Sequence, residues 1–239
     1  MTAAWLEFWD GSHAIYVNAR HKDVHYRLIA NDIAALVPFS EARVLDYGCG
    51  DALYAEVVAS AAADLVLCEA APRGRAELAA RFVGQGRNPR IRVLAPEEVE
   101  CLPDHSFDLI VLHSVIQYLA KSETEALLRL FRKLLQPSGI LVVGDVIPPH
   151  GRASSDAIAL LRLAAANGFL VATVAGLVRL ALSNYRSLRG RLGLARYEEG
   201  EIIQMLSAAG FTAERARKNI GHDQARLAFV ATPRDERQR

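Results

Sequence analysis

The run Val44-Leu45-Asp46-Tyr47-Gly48-Cys49-Gly50-Asp51-Ala52 sets two carboxylates and two glycines at the end of an apolar stretch. A buried strand that ends this way turns into a loop whose bare backbone approaches a ligand closely, and the helix behind it offers free N–H groups at its start. That is chemistry for holding a nucleotide-like cofactor. A second apolar stretch, Leu65-Val66-Leu67-Cys68, ends in Glu69 and Ala70, about 20 residues after the glycines, where a carboxylate accepts both hydrogen bonds of a ribose diol. A dinucleotide fingerprint requires a third small residue beneath its pyrophosphate, and that position holds Leu53. Asp46 would also repel a pyrophosphate, whereas it suits a ligand carrying positive charge. Asp46, Gly48, Cys49, Gly50, Glu69 and Ala70 are therefore predicted to bind the cofactor, and NAD or FAD is disfavoured.

Other candidates follow from the rule that ligands of an open α/β sheet bind beyond the carboxyl ends of its strands. His113 and Ser114 follow one apolar strand, Glu97 follows another, and Asp145 to His150 follow a third. His222 lies in the joining run Asn219-Ile220-Gly221-His222-Asp223-Gln224. There it could act as a general base or hold an acceptor, although a plain hairpin requires only the glycine. His21 and His25 share a helix face at i, i+4. No Glu follows His21 and no third ligand is evident, so they are read as lid residues near the acceptor, and no metal site is predicted. Tyr16, Tyr26 and Tyr118 could meet a cation through their ring faces or serve as core. Cys49, Cys68 and Cys101 make neither an even disulfide set nor a metal-ligand spacing and read as small buried hydrophobes.

The elements that must position these groups alternate. Strand patterns cover residues 44–47, 65–68, 91–94, 109–112 and 140–146, and helix patterns cover 54–62, 75–82 and 123–135, the rhythm of a parallel sheet covered on both faces. Before the first strand, residues 20–37 read as a helix with apolar positions at Val24, Leu28, Ile33 and Leu36. After the last helix at 197–211, a strand at 211–217 runs with the sheet and another at 226–231 returns antiparallel. The fold class predicted is a Rossmann-like, doubly wound α/β domain with a seven-stranded, mostly parallel sheet, N-terminal lid helices and a helical cap insertion. One domain spans 1–232: a lid at 1–42, a cofactor-binding half at 43–150, the insertion at 151–196, and a helix and hairpin at 197–232. A disordered tail is predicted at 233–239.

These motifs, in this order, resemble class I S-adenosylmethionine-dependent methyltransferases. Residues 44–52 resemble the family's first motif, Glu69 its ribose-binding acid, and Leu102-Pro103-Asp104-His105-Ser106-Phe107-Asp108 the approach to its fourth strand. Leu134-Leu135-Gln136-Pro137-Ser138-Gly139 resembles the turn before the fifth, and residues 197–211 the late helix ending in Ala-Gly-Phe. The resemblance covers residues 43–150 and 197–232. It implies S-adenosylmethionine as cofactor, whose ammonium and sulfonium suit Asp46. Where the family shows an acid after strand three against the adenine amine, this chain reads Ala95-Pro96-Glu97-Glu98, and Glu97 is the candidate substitute. After strand four stands His113-Ser114-Val115-Ile116 in place of the Asn/Asp-Pro-Pro-aromatic run of nucleic-acid and glutamine amino methyltransferases, which argues against such acceptors. The function implied is methyl transfer to an oxygen or carbon of a small, partly lipophilic acceptor. Two other readings stay open: a non-catalytic cofactor-binding scaffold or partner-binding protein, and a NAD(P)-dependent oxidoreductase.

Composition narrows the partners. The chain has 239 residues, a formal net charge of +1 and 51% hydrophobic residues, enough for one well-filled domain and without the basic stripe that nucleic acid requires. Residues 1–10 are aromatic and acidic, unlike a secretion signal, so a cytoplasmic bacterial enzyme is expected. Residues 158–182 are apolar almost all round, broken at Asn167-Gly168, and the following stretch is strongly basic. Two helices or a bent one are predicted here. Three destinations are open to them: a cap over a lipophilic acceptor, which is the favoured reading, a homodimer contact, or a peripheral element on the inner membrane through residues 152–196.

Overall fold

A computed structural model describes residues 3–11, 16–84, 88–151, 153–181 and 193–234. Seven strands form one sheet in the order β3-β2-β1-β4-β5-β7-β6. These are β1 (Arg43–Tyr47), β2 (Asp64–Cys68), β3 (Ile91–Leu94), β4 (Phe107–His113), β5 (Leu135–Val146), β6 (Phe211–Arg215) and β7 (Leu227–Pro233). All pairings from β3 to β5 are parallel, while β7 is antiparallel to both β5 and β6. The order reverses between β1 and β4, and a crevice opens beyond the carboxyl ends of these strands, as expected of such a switch point.

The central strands carry apolar runs such as Leu109–Leu112 and Leu141–Val143 because both faces of the sheet are covered. Successive residues go to opposite sides: Val44, Leu65, Leu67, Leu109 and Val111 enter one core, while Leu45, Val66, Ile110 and Leu112 enter the other. The first core is closed by α2 (Ala19–Leu36), α3 (Ala55–Ala61) and α4 (Pro72–Phe82) through Ile33, Val58, Leu78 and Phe82. The second is closed by α6 (Lys121–Leu134) and α9 (Glu199–Ala208) through Phe131, Leu134 and Leu206. Each fully buried Leu or Ile contributes roughly 1.5–3 kcal/mol, so a charge at Ile110, which has no exposed surface, would unseat the central strand.

Several elements depart from the pattern read in the sequence. Residues Ala3–Asp10 form a helix, α1, whose Trp5 packs edge-on against Tyr118. Pro96–Glu100 form a short helix, α5, with Pro at its start and the Glu98 carboxylate accepting from Ala95 N–H. Helix α6 begins at Lys121 because the Glu123 carboxylate accepts from Ala120 N–H and caps the turn. Strand β5 reaches back through Pro137 to Leu135, which pairs with Phe107 across a register shift. Pro233 and Arg234, predicted to begin a disordered tail, are ordered. Pro233 pairs with Phe211, and Arg234 N–H donates to Gly210 O while its guanidinium donates to Ser207 Oγ and Phe211 O. The rest of that tail, residues 235–239, lies outside the described residues.

The insertion is two helices, α7 (Ala153–Asn167) and α8 (Leu170–Ala181), parted at Gly168, whose φ of +76° is a backbone angle that favours glycine. Phe169 and Leu163 pack with Val24 of α2, and a Cβ on Gly176 would meet Val17 at 2.5 Å, so α8 lies directly on the chain leading into α2. Of the basic stretch predicted at 185–196, residues 185–192 lie outside the described residues.

Candidate functional site

The crevice at the switch point has a volume of about 900 Å³, near the upper end of the roughly 300–1,000 Å³ of small-molecule sites. Its floor is the glycine loop. Gly48 and Gly50 have φ of +78° and +59°. A Cβ at Gly48 would fall 2.4 Å from Val115 and one at Gly50 2.8 Å from the Tyr26 hydroxyl, so both close approaches exclude any side chain. Gly48 and Cys49 N–H groups donate to Cys68 O, which binds the loop to the end of β2. The Glu69 carboxylate accepts from Gly50 N–H at 3.0 Å and from Ala71 N–H at 2.8 Å, bridging the first loop and the start of α4. Burial raises its pKa.

Asp46, at the end of β1, also lines the crevice. Burial and, secondarily, the nearby Glu69 push its pKa up to about 7. A buried carboxyl so placed ionises readily once a cation arrives beside it. Ala70, Cys49, His113 and Ser114 line the same cavity, so the predicted cofactor set converges except for Glu97. Glu97 is exposed and is not among the lining residues, whereas Glu100, at the end of α5, is.

Facing the glycine loop is a wall made by α2, the ends of β4 and β5, and the loop between β6 and β7. His21, His25, Ile29 and Asp32 recur along one face of α2. Asp32 accepts from Gly221 N–H at 2.8 Å and pairs with Lys218 at 2.6 Å, which anchors the loop bearing His222 to that helix. The loop is further stapled by Asn219, whose Oδ1 accepts from Asp145 N–H and whose Nδ2 donates to Asp223 O. As a result His222 meets His25 at 6.0 Å and His21 at 6.4 Å between ring centroids, and His21 and His25 lie 6.2 Å apart. His21 is fixed by Val17 N–H donating to its Nδ1 and by Phe169 stacked on its ring at 5.7 Å. Tyr16 lies 5.5 Å from His25 and shares a hydroxyl hydrogen bond with Tyr26, whose hydroxyl also accepts from Asp51 N–H.

These imidazoles are held neutral. Burial, then His222, lowers His21 to about 4, and burial lowers His25 well below its ordinary value, with His113, His222 and His21 adding to it. Burial lowers His113 and His222 as well, with carboxylates opposing it: Asp145 and Asp32 at His113, and Asp223 and Asp145 first among those at His222. Among the described residues no group of three or more His, Cys, Asp or Glu side chains is placed to hold a metal ion.

Beside the histidines runs a charged chain that links the sheet to the insertion. The Ser114 hydroxyl donates to Asp145 at the end of β5. Both residues have φ near +60°, at 59° and 58°, a strain of order 1–3 kcal/mol each that collects at functional sites. Arg226 then reaches Asp223 at 3.4 Å, Asp145 at 3.9 Å and, on α7, Asp156 at 2.9 Å. Burial alone would lower the pKa of this guanidinium, yet Asp145, Asp156 and Asp223 together hold it above its ordinary value. Sequence patterning missed Arg226, Asp156, Gln117 and Trp9 at this site. Only Arg226 left a signal, as a charge opening an apolar strand with an acid three residues before it.

Leu160 of α7 joins Asp156 in the lining. Leu194 lines the crevice as well, while one face of α8 is turned outward, with Leu170, Val171 and Val174 exposed. No helix among the described residues is long and apolar enough to cross a membrane.

Comparison with known proteins agrees with this geometry. Residues 45–143 match the methyltransferase domain family. Relatives include a ubiquinone biosynthesis O-methyltransferase of Cereibacter sphaeroides, 32% identical over 111 residues, covering 46% of this chain and 44% of that protein. Another of the same name from Azorhizobium caulinodans is 28% identical over 125 residues, covering 52% and 48%. The matches thus span about half the length of these relatives or less. Among solved structures, magnesium protoporphyrin IX methyltransferase of Synechocystis with bound SAH superposes over 98% of this chain and 95% of its own, with a TM-score of 0.57 and 16% identity. Mitomycin 7-O-methyltransferase gives a TM-score of 0.59 at 21% identity over 87% and 53%. These likenesses establish the class I methyltransferase fold.

Proposed function

We propose that this protein, whose residues 45–143 match the methyltransferase domain family, is an S-adenosylmethionine-dependent methyltransferase that methylates an oxygen or carbon of a small, partly lipophilic acceptor. The observation that carries the reading is that one crevice holds a glycine loop with two acids on one side and neutral imidazoles on the other. The residues fit the cofactor: Gly48 and Gly50 leave room where a Cβ would clash, Glu69 suits a ribose diol, and Asp46 suits an ammonium. When bound, S-adenosylmethionine supplies an electrophilic methyl carbon whose bonding pair to sulfur stays behind on the neutral thioether.

The chain's own residues do the rest. The acceptor gives an electron pair to that carbon and loses its proton to His222 or His25, which burial keeps neutral and therefore able to accept it. Holding both partners in line with water excluded supplies much of the rate. On this reading residues 1–42 form a lid and the insertion at 151–196 a cap, supported by Tyr16, His25, Asp156 and Leu160 in the lining. Oxygen is favoured over carbon by the likeness to proteins named as ubiquinone biosynthesis O-methyltransferases. Calorimetry with S-adenosylmethionine, S-adenosylhomocysteine and NAD tests the cofactor, and a labelled-methyl screen of lipophilic phenols, quinone precursors and carboxylic acids tests the acceptor. Binding of NAD alone would overturn the reading.

A further inference from the structure

Four side chains among the described residues keep a buried polar atom without a partner: His25 Nδ1, His113 Nδ1, Gln117 Oε1 and Arg226 Nη1. All four residues line the crevice, and Gln117 retains only 5% of its surface. Native proteins pair nearly all such atoms, so four on residues lining one cavity, each atom itself buried, mark side chains that settle their pairing only when a ligand enters. Gln117 Oε1 accepts, the guanidinium edge donates, and a neutral imidazole offers one donor and one acceptor nitrogen. A hydroxyl, which both donates and accepts, answers this mixed set.

Charge narrows the class further. Among the described lining residues Arg226 is the one guanidinium or ammonium, set against eight carboxylates. Its Nε and Nη2 are already engaged by Asp145, Asp223 and Asp156. An incoming carboxylate could reach only Nη1 and would become a fourth anion around one cation, away from water, whereas an uncharged oxygen accepts the same N–H without that repulsion.

We infer that the acceptor is an uncharged hydroxyl compound, bound between the free edge of Arg226 and the imidazoles facing it, and that this wall rejects carboxylates and phosphates. The inference rests on the methyltransferase reading for the word acceptor, and its test separates the two. Para-propylphenol and para-hydroxyphenylpropionate share ring, chain length and hydroxyl and differ in one carboxylate. Each is titrated into the protein by calorimetry, with and without S-adenosylhomocysteine. The neutral phenol is expected to bind about tenfold or more tightly than its carboxylated partner, an order of magnitude typical of like-charge discrimination. The gap should narrow in Asp223→Asn, which keeps an oxygen for Ala225 N–H and removes one charge. Equal or tighter binding of the carboxylate, or no binding of either probe, would overturn the inference. Preference for the neutral probe with no binding of S-adenosylhomocysteine would leave the charge selection standing and sink the methyl-transfer reading.

Discussion

The two walls of the crevice are held by different means. The cofactor wall is backbone: Gly48, Gly50 and the ends of β1 and β2 are fixed by strand pairing and by main-chain groups donating to Cys68 O and Glu69. The opposite wall is side chain: His21 and His25 from α2, His222 from a hairpin, and Arg226 with its acids from three separate elements. A wall fixed by strand pairing depends little on any one side chain, whereas a wall built of side chains depends on each of them. Loss of a group on one wall should therefore leave the other nearly intact, and each experiment below can break that separation.

The largest effect is expected on turnover. His222→Ala should lower the rate of methyl transfer by roughly 10²–10⁴-fold, the usual worth of a general base, while leaving S-adenosylmethionine affinity unchanged by calorimetry. A matching loss of cofactor affinity would show the walls to be one unit. Full activity would return His222 to the status of a loop residue.

Next comes the cofactor wall. Glu69→Ala removes two hydrogen bonds to N–H groups and the group suited to the ribose, and should weaken S-adenosylmethionine binding by about 1.5–3 kcal/mol, the range for a charged hydrogen bond. Circular dichroism should be unchanged. A ligand lacking the ribose should be far less sensitive to the change.

Acidity gives a smaller and more diagnostic effect. Asp46, raised from 3.8 to about 7, keeps a proton in the folded protein that the unfolded chain has already released, so its contribution to stability falls as pH rises through that window. His21, lowered from 6.5 to about 4, has the opposite sign: its unfolded form takes a proton the folded form refuses, and stability falls as pH drops through that window. Between about 4 and 6.5 the two slopes oppose each other, which should flatten the stability profile of the protein alone. Binding a cation beside Asp46 should release its proton, so affinity should fall below pH 7. Calorimetry in buffers of different ionisation heat should show that release and its loss in Asp46→Asn.

The smallest effect is expected on the outer face of the insertion. Leu170, Val171 and Val174 are exposed, so polar replacements there should leave acceptor affinity unchanged in the same titrations. Leu160→Asp, within the lining, should weaken it. A change of oligomeric state or of vesicle flotation in the outer-face variant would reveal a second use for α8.

Much of the glycine-loop wall was legible in the sequence because its signals are contiguous. A run of apolar residues ending in Asp-x-Gly-x-Gly specifies strand, turn and close approach within nine residues of chain, residues 44–52, and Glu69 follows one βα unit later. The apolar runs at 109–112 and 140–143 were likewise readable as strands covered on both faces, while which residue enters which core follows from the helices packed there. The short helix that Pro96 starts left no clear signal, and it is Glu100 at its end that reaches the lining.

The acceptor wall was legible only as unconnected candidates. Nothing local tells that Asp32 anchors the hairpin to α2, that Phe169 seats His21, or that Arg226 draws Asp145, Asp156 and Asp223 together, because each partner comes from a distant part of the chain. The layered α/β core and the glycine loop at the crevice could be read from the chain alone, since hydrophobic period and glycine geometry act over neighbouring residues. Four neutral imidazoles and one shared guanidinium come together only through long-range packing, for the burial and mutual proximity that set their charge exist only once α2, the sheet ends and the hairpin have met.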